Sequence, residues 1–214
     1  GQLVQSLREN PRVVNWEGTD VRSIAPEQLE QPADFFSVDV SFISLHHVLP
    51  YVLPLLKPDA AGAILIKPQF EAGRENIGKN GLVQSQRVHV QVLGNILTLL
   101  SALGLTVQLL CPSPIRGGSG NVEYLAAVQK GGETAYVPDA AAVVQQAFTQ
   151  AKKEKTKWQC PGSGEKGLPG TPSERYGGLG RPTLSGSAER YGFRVLCAFS
   201  GGDTGCGCGS CHRW

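Results

Sequence analysis

The chain lacks methionine and any long hydrophobic run, and it has few aromatic residues. Its 214 residues contain no Met, and phenylalanine, tryptophan and tyrosine together make up 7%. Without about 18 consecutive apolar residues, or a charged leader before an apolar stretch, the sequence predicts neither a membrane span nor a signal peptide. We therefore expect a cytoplasmic protein with no membrane partner. Because not even an initiating methionine is present, we also expect a fragment of a longer protein.

A large excess of charge of one sign is also missing. The formal net charge is +2 at pH 7, which neither establishes nor excludes a nucleic-acid partner. The hydrophobic content of 41% is high enough for a real core, so a wholly disordered or fibrous chain is excluded.

Cysteine and glycine are scarce in the first part of the chain and concentrated after Lys155. Before that point apolar runs alternate with turn residues, and after it no period of 3.6 or 2 is visible. The sequence predicts an organised domain over 1–151 and a low-complexity, disordered Gly/Cys-rich tail over 152–214. The tail ends in thiols and an imidazole, the ligand types that zinc prefers, at Cys206, Cys208, Cys211 and His212. A structural zinc site usually joins two separated pairs of ligands, and such pairs are absent here, so we predict no metal site. Two alternatives remain open: a tail that binds a metal, and a disordered tail that is even translated out of frame.

The first part reads as alternating strands and helices. Apolar, β-rich runs predict strands over 12–16, 34–40, 61–67, 105–110 and 122–128, with Trp16 in the core. Helical spacing predicts helices over 4–9, 45–56, 85–103 and 139–151, the second interrupted by prolines and the third ended by Gly104. This order predicts a doubly wound α/β fold with a mostly parallel sheet and an antiparallel hairpin at one edge.

Three ionisable residues from distant segments are predicted to meet at one rim of that sheet. Asp39 and Lys67 stand at the carboxyl ends of two parallel strands, and Glu123 stands at the start of the antiparallel strand. A lysine between carboxylates can orient a hydroxyl and accept its proton. The alternative is structural: Asp39 caps a turn, and Lys67 is a solvated charge paired with Glu123.

Several motifs resemble one family in the correct order. They are Asp39-Val40-Ser41-Phe42-Ile43-Ser44-Leu45, Ile66-Lys67-Pro68-Gln69-Phe70-Glu71-Ala72-Gly73, and Gly120-Asn121-Val122-Glu123. Over residues 1–150 the chain is similar to the TlyA (hemolysin A) family of FtsJ-like ribosomal RNA methyltransferases.

The resemblance implies a Rossmann-like methyltransferase sheet and methylation of the ribose 2′-hydroxyl of cytidines in ribosomal RNA with S-adenosylmethionine. Asp39, Lys67 and Glu123 would be the last three members of the family's Lys-Asp-Lys-Glu tetrad. The first lysine, the Gly-rich cofactor turn and the first strand-helix-strand would lie upstream of this chain. Thr19 and Asp20 would lie near the adenine of the cofactor, and Asp39 near its sulfonium. The implied partner is ribosomal RNA or a ribosomal subunit, with no stable protein partner.

Other functions are possible for such a chain. An inactive remnant or an RNA-associated binding module would fit the absent cofactor turn. Membrane lysis is suggested only by the hemolysin name, and no basic amphipathic helix of the membrane-surface type supports it.

Overall fold

A mixed sheet with helices packed beside it makes up the computed structural model, which describes residues 3–133, 136–157 and 193–198. The helices are α1 (Gln5–Arg8), α2 (Leu49–Val52), α3 (Pro68–Glu71), α4 (Gln86–Ala102) and α5 (Ala140–Lys157). The strands are β1 (Ala33–Val40), β2 (Leu56–Ile66), β3 (Leu105–Pro112), β4 (Tyr124–Lys130) and β5 (Phe193–Ala198).

The strand order confirms the α/β prediction and the hairpin at the edge. The strands lie in the order β3-β4-β2-β1-β5, with β1 parallel to β2 and β4 antiparallel to both β2 and β3. Within the hairpin, the antiparallel strand β4 is not the outermost strand, because β3 lies outside it. The connection through α4 places β3 two positions away from β2, and the next strand, β4, lies between them.

The strand predicted over residues 12–16 is absent, and that prediction is wrong. The segment is irregular, with Val14 67% and Trp16 40% exposed. The side chains of Asn10 and Asn15 accept hydrogen bonds from the backbone N–H groups of Arg12 and Glu17, at 2.9 and 3.1 Å. β-rich composition needs a partner strand, and here local side-chain bonds replace one.

The predicted helices form with shifted ends. The prolines divide residues 45–56 into the 3₁₀ turn Leu45–His47, α2 and the 3₁₀ turn Leu53–Leu55, so that β2 begins five residues before its predicted start. Helix α4 is flanked by Ser85 and Leu103, and Gly104 follows with φ +69°, as expected for a glycine that ends a helix.

Part of the predicted tail is structured. Helix α5 continues to Lys157, and Phe193–Ala198 pairs antiparallel with β1, although the composition of this segment predicted disorder. The physical reason is that the side of β1 away from β2 offers backbone groups that a β-rich segment can bind. The cysteines and histidine near the chain end, Cys206, Cys208, Cys211 and His212, lie outside the described residues.

One core runs from β1 to α5. The largest fully buried side chains include Phe36 on β1, Ile64 and Ile66 on β2, and Leu93 and Ile96 on α4. Gly62 makes room for one of them, because a Cβ at this position would overlap the Phe36 ring. This packing fixes the strand ends from which the polar rim residues project.

Candidate active site

An ion pair stands at the carboxyl ends of β1 and β2. The Lys67 Nζ lies 2.6 Å from Asp39 Oδ1, and it also donates to Ser41 Oγ at 3.3 Å. The Lys67 side chain is 13% exposed and the Asp39 side chain 47%. Since the two strands are parallel, the pairing follows directly from the sheet. The result is a sheltered ammonium held by a carboxylate that remains open to solvent.

Glu123 reaches the same rim but forms no ion pair with Lys67 within 4.0 Å. Ile66 on β2 lies opposite Tyr124 on β4, so the next positions, Lys67 and Glu123, emerge side by side at the same end of the sheet. Glu123 is 6% exposed, and its Oε1 accepts a hydrogen bond from Gln69 Nε2 at 3.1 Å. The three residues predicted from the sequence therefore share one edge, where Asp39 and Lys67 touch and Glu123 is held separately.

The loop before β4 is shaped around the Glu123 carboxylate. Gly117 N donates to Asn121 O at 3.1 Å, and Gly120 N donates to Gly117 O at 2.7 Å. A Cβ on Gly117 would lie 2.5 Å from Glu123 Oε1. The missing side chain at position 117 therefore leaves space for the carboxylate.

Alternate residues after β2 connect three segments of the rim. Lys67 binds Asp39, Gln69 binds Glu123, and Glu71 binds the turn after β1. The Glu71 carboxylate accepts from Ser44 Oγ at 2.6 Å and from Leu45 N at 2.9 Å. Sequence reasoning missed the roles of Gln69 and Glu71; the spacing of polar residues in Lys67-Pro68-Gln69-Phe70-Glu71 was the available signal.

An aromatic side chain is exposed in the turn that follows β1. Phe42 is 75% exposed and has φ +64°, a conformation that is costly for a bulky residue. Its ring packs on Phe70, with centroids 5.0 Å apart and planes tilted by 50°. The exposed ring therefore follows Asp39 by three residues, and its packing partner Phe70 follows Lys67 by three residues.

The two other predicted cofactor residues, Thr19 and Asp20, lie in the loop that leads into the 3₁₀ turn Val21–Ser23. Asp20 caps this turn through Arg22 N and pairs with the Arg22 guanidinium at 2.6 Å. Hydrogen bonds from Arg22 lower the pKa of the Asp20 carboxyl. Thr19 N donates to Trp16 O at 3.1 Å. Neither residue forms a hydrogen bond or ion pair with Asp39.

A second polar cluster is sealed behind the rim. His89 Nε2 donates to Val83 O at 2.9 Å, and its Nδ1 accepts from the Tyr124 hydroxyl at 2.8 Å. Both residues are fully buried. The Phe148 ring packs edge-on against the imidazole, with the ring centroids 5.1 Å apart. Burial lowers the pKa of His89 and raises that of Tyr124, which keeps both side chains neutral.

Asn121 extends this cluster to the loop before α4. Its Oδ1 accepts from Val83 N at 3.2 Å, and its Nδ2 donates to Gly81 O at 2.9 Å. Asn121 is 4% exposed. The residue therefore fixes the loop before α4 to the segment that carries Glu123.

Within residues 3–133, 136–157 and 193–198, the structure contains no cluster of three or more histidine, cysteine, aspartate or glutamate residues suited to a metal ion. No helix in these ranges has the length and apolarity needed to cross a membrane.

Comparison with protein families and curated proteins gives consistent matches. Residues 1–130 match the model of the FtsJ-like methyltransferases. Over 133 residues the chain is 42% identical to a Bacillus subtilis (strain 168) protein named "Putative rRNA methyltransferase YqxC", covering 62% of this chain and 47% of that protein. Over 124 residues it is 39% identical to "16S/23S rRNA (cytidine-2′-O)-methyltransferase TlyA" of Mycobacterium tuberculosis (strain CDC 1551 / Oshkosh), covering 58% and 46%.

A solved structure shares the fold. "Putative hemolysin from Streptococcus thermophilus" superposes with a TM-score of 0.68 at 38% identity, covering 72% of this chain and 57% of that one. The chain spans about half the length of the curated relatives named above.

Proposed function

We propose that this chain, which belongs to the FtsJ-like methyltransferase family, carries the catalytic rim of an enzyme that methylates the ribose 2′-hydroxyl of a cytidine in ribosomal RNA. The observation that supports this proposal most is the sheltered Lys67 ammonium on the half-exposed Asp39 carboxylate. The names of the matched relatives support RNA as the substrate and the cytidine ribose as the target.

The chemistry of the rim suits a hydroxyl substrate. Lys67 binds and orients the 2′-oxygen. Once its ammonium has released a proton to solvent, the neutral amine accepts the hydroxyl proton as the oxygen becomes a nucleophile. Asp39 and Ser41 fix the direction of the lysine side chain. Such positioning supplies a large part of the rate gain, because the reacting atoms no longer have to find one another. In this mechanism Glu123 contributes a second negative charge at the same edge.

S-adenosylmethionine is the methyl donor that FtsJ-like methyltransferases generally use. When bound, it supplies an electrophilic methyl group on a sulfonium. The residues present fit such a cation at Asp39, whose carboxylate is 47% exposed. Thr19 and Asp20 would face the adenine, and Asp20 would have to exchange its Arg22 partner for the ligand.

The surroundings of the ion pair suit an RNA strand. Phe42 offers an exposed ring on which a base can stack. Arg74 and Lys79 are exposed in the loop that follows α3, where they can contact phosphates. We therefore expect ribosomal RNA, free or in a ribosomal subunit, to be the partner.

The test is methyl transfer from radiolabelled S-adenosylmethionine to ribosomal subunits, followed by nucleoside analysis. The protein assayed here and below is this chain extended upstream through the strand and Gly-rich turn that the family resemblance implies. We expect 2′-O-methylcytidine as the product. Cofactor binding, measured by calorimetry on the same preparation, separates the steps. RNA binding without cofactor binding or transfer would overturn the proposal in favour of an RNA-binding module, and a base-methylated product would overturn the assignment of the 2′-hydroxyl.

A further inference from the structure

Gln69 is placed between two of the rim's charged groups. It lies on α3, two residues after Lys67, and its Nε2 donates to Glu123 Oε1 at 3.1 Å. Gly117 approaches the same carboxylate oxygen from the loop before β4. Glu123 is therefore held between the backbone at Gly117 and the amide of Gln69.

The orientation of the Gln69 amide is energetically unfavourable for its own oxygen atom. Its Oε1 is buried and has no hydrogen-bond partner among the residues that the structure describes. Rotating the amide by half a turn would bring this oxygen against the Glu123 carboxylate, so the contact with Glu123 sets the orientation. Buried acceptors without partners are rare in folded proteins because they lose their hydration without compensation. Stability alone does not explain a glutamine at this position.

We propose that Gln69 is a positioning residue for the methyl transfer proposed above, on which this inference rests. Its amide keeps the Glu123 carboxylate at the edge where Lys67 emerges. Without this hydrogen bond the carboxylate relaxes within its pocket, and the charge beside the lysine is misplaced. Gln69 does not touch the reacting atoms in this account; it acts through Glu123.

The variant Gln69→Leu separates this role from a structural one. Leucine is apolar and one bond shorter than glutamine, and it removes both the donor to Glu123 and the unpartnered oxygen. We expect an unfolding midpoint equal to or above that of the unaltered chain. We expect kcat for methyl transfer to fall about 10- to 100-fold, as for other small misplacements in active sites, with KM for RNA within about twofold. The matched control is Gln91→Leu, at an exposed position on α4.

A second pair of variants tests the other side of the Glu123 carboxylate, with one variant that displaces it and one control. Gly117→Ala introduces a Cβ 2.5 Å from Glu123 Oε1, whereas a Cβ on Gly118 meets nothing within 4 Å. We expect Gly117→Ala to lower kcat in the same manner as Gln69→Leu and Gly118→Ala to leave it unchanged. Equal effects of the two alanine substitutions would contradict the positioning of Glu123.

A spectroscopic measurement is independent of activity. In protein with ¹³C-labelled glutamate, the carboxyl signal of Glu123, assigned with Glu123→Gln, should shift at constant pH in Gln69→Leu and not in Gln91→Leu. An unmoved signal, or a destabilised Gln69→Leu with unchanged kcat, would overturn the inference. Absence of transfer by the extended protein without substitutions would overturn the proposed function, while the carboxyl signal would still decide the Gln69–Glu123 contact.

Discussion

Two polar clusters begin at neighbouring positions of the same sheet, yet they differ in charge, in burial and in access to solvent. The open pair consists of Asp39 and Lys67, and the sealed cluster consists of His89, Asn121 and Tyr124. Lys67 directly follows Ile66, whose partner across the sheet is Tyr124. One step along the paired strands thus separates a charged, partly exposed group from a neutral, fully buried one.

The difference lies in how completely the polar atoms are satisfied. In the sealed cluster the imidazole and the amide each have two partners within the protein, and both side chains are buried, so they stabilise the loop before α4 and are shielded from a ligand in solvent. In the open pair Asp39 remains 47% exposed beside the lysine. Polar residues at a rim therefore do not by themselves mark a site, and solvent access to a held charge is the more informative feature. The following substitutions test this contrast.

Lys67→Ala should produce the largest effect, and it should affect rate rather than stability. We expect methyl transfer to fall about 1,000-fold, equivalent to about 4 kcal/mol in the barrier. The unfolding free energy should change by at most about 1 kcal/mol, because a partly exposed ion pair contributes little. Single-turnover transfer and urea unfolding measure the two quantities.

Lys57→Ala is the matched control for this prediction. Lys57 also pairs with an aspartate at 2.6 Å, Asp34, but at the opposite ends of β1 and β2. We expect transfer within twofold of the unaltered chain. Equal losses in the two variants would show that the Lys67 pair has no special role in the reaction.

His89→Ala should produce the opposite pattern in the sealed cluster. The substitution leaves a cavity and removes the partners of Val83 O and the Tyr124 hydroxyl. We expect a loss of about 3 kcal/mol in unfolding free energy. Below the unfolding transition, transfer per folded molecule should be retained within about twofold. His47→Ala, at an exposed histidine, serves as the control. A stable His89→Ala variant with abolished transfer would assign the sealed cluster to the chemistry.

Asn121→Ala should have a smaller effect of the same kind. It removes two hydrogen bonds to the loop before α4 and leaves the buried Val83 N–H unpaired. We expect a loss of about 2 kcal/mol in unfolding free energy. Hydrogen exchange should report faster opening of residues 81–83. The exposed Asn15→Ala should change stability by less than about 0.5 kcal/mol. Unchanged exchange at residues 81–83 would show that Asn121 does not hold this loop.

The pH dependence of stability should show the smallest effect. Burial lowers the pKa of His89 from 6.5, so below this pH the unfolded chain binds a proton that the folded chain does not. The contribution of neutral His89 is therefore present above pH 6.5 and decreases as the pH falls, by at most about 1.4 kcal/mol per pH unit. Urea unfolding from pH 5 to 8 should show this slope in the unaltered chain and in His47→Gln. Its persistence in His89→Gln would assign it to another group.

The sequence predicted those parts of the site that depend on the direction of strands. Asp39 and Lys67 were expected at one rim, and they meet there at 2.6 Å because β1 and β2 are parallel. The roles of Gln69 and Glu71 were not predicted, since their partners are 54 and 26–27 residues away in the chain. The failed strand over 12–16 and the unexpected β5 share one cause: pairing depends on which edge is available, and composition alone does not contain this information.

The sequence alone determined the order of the elements from β1 to α5, the glycine at position 104 that follows α4, and the family motifs that place carboxylates and a lysine at strand ends. These are local properties, set by side-chain periodicity and backbone preferences within a few residues. Only the tertiary structure decided that Lys67 touches Asp39 while Glu123 is held by Gln69, and that His89 is sealed while Phe42 is exposed. Such distinctions depend on burial and on contacts between distant segments, which form only when the sheet is assembled.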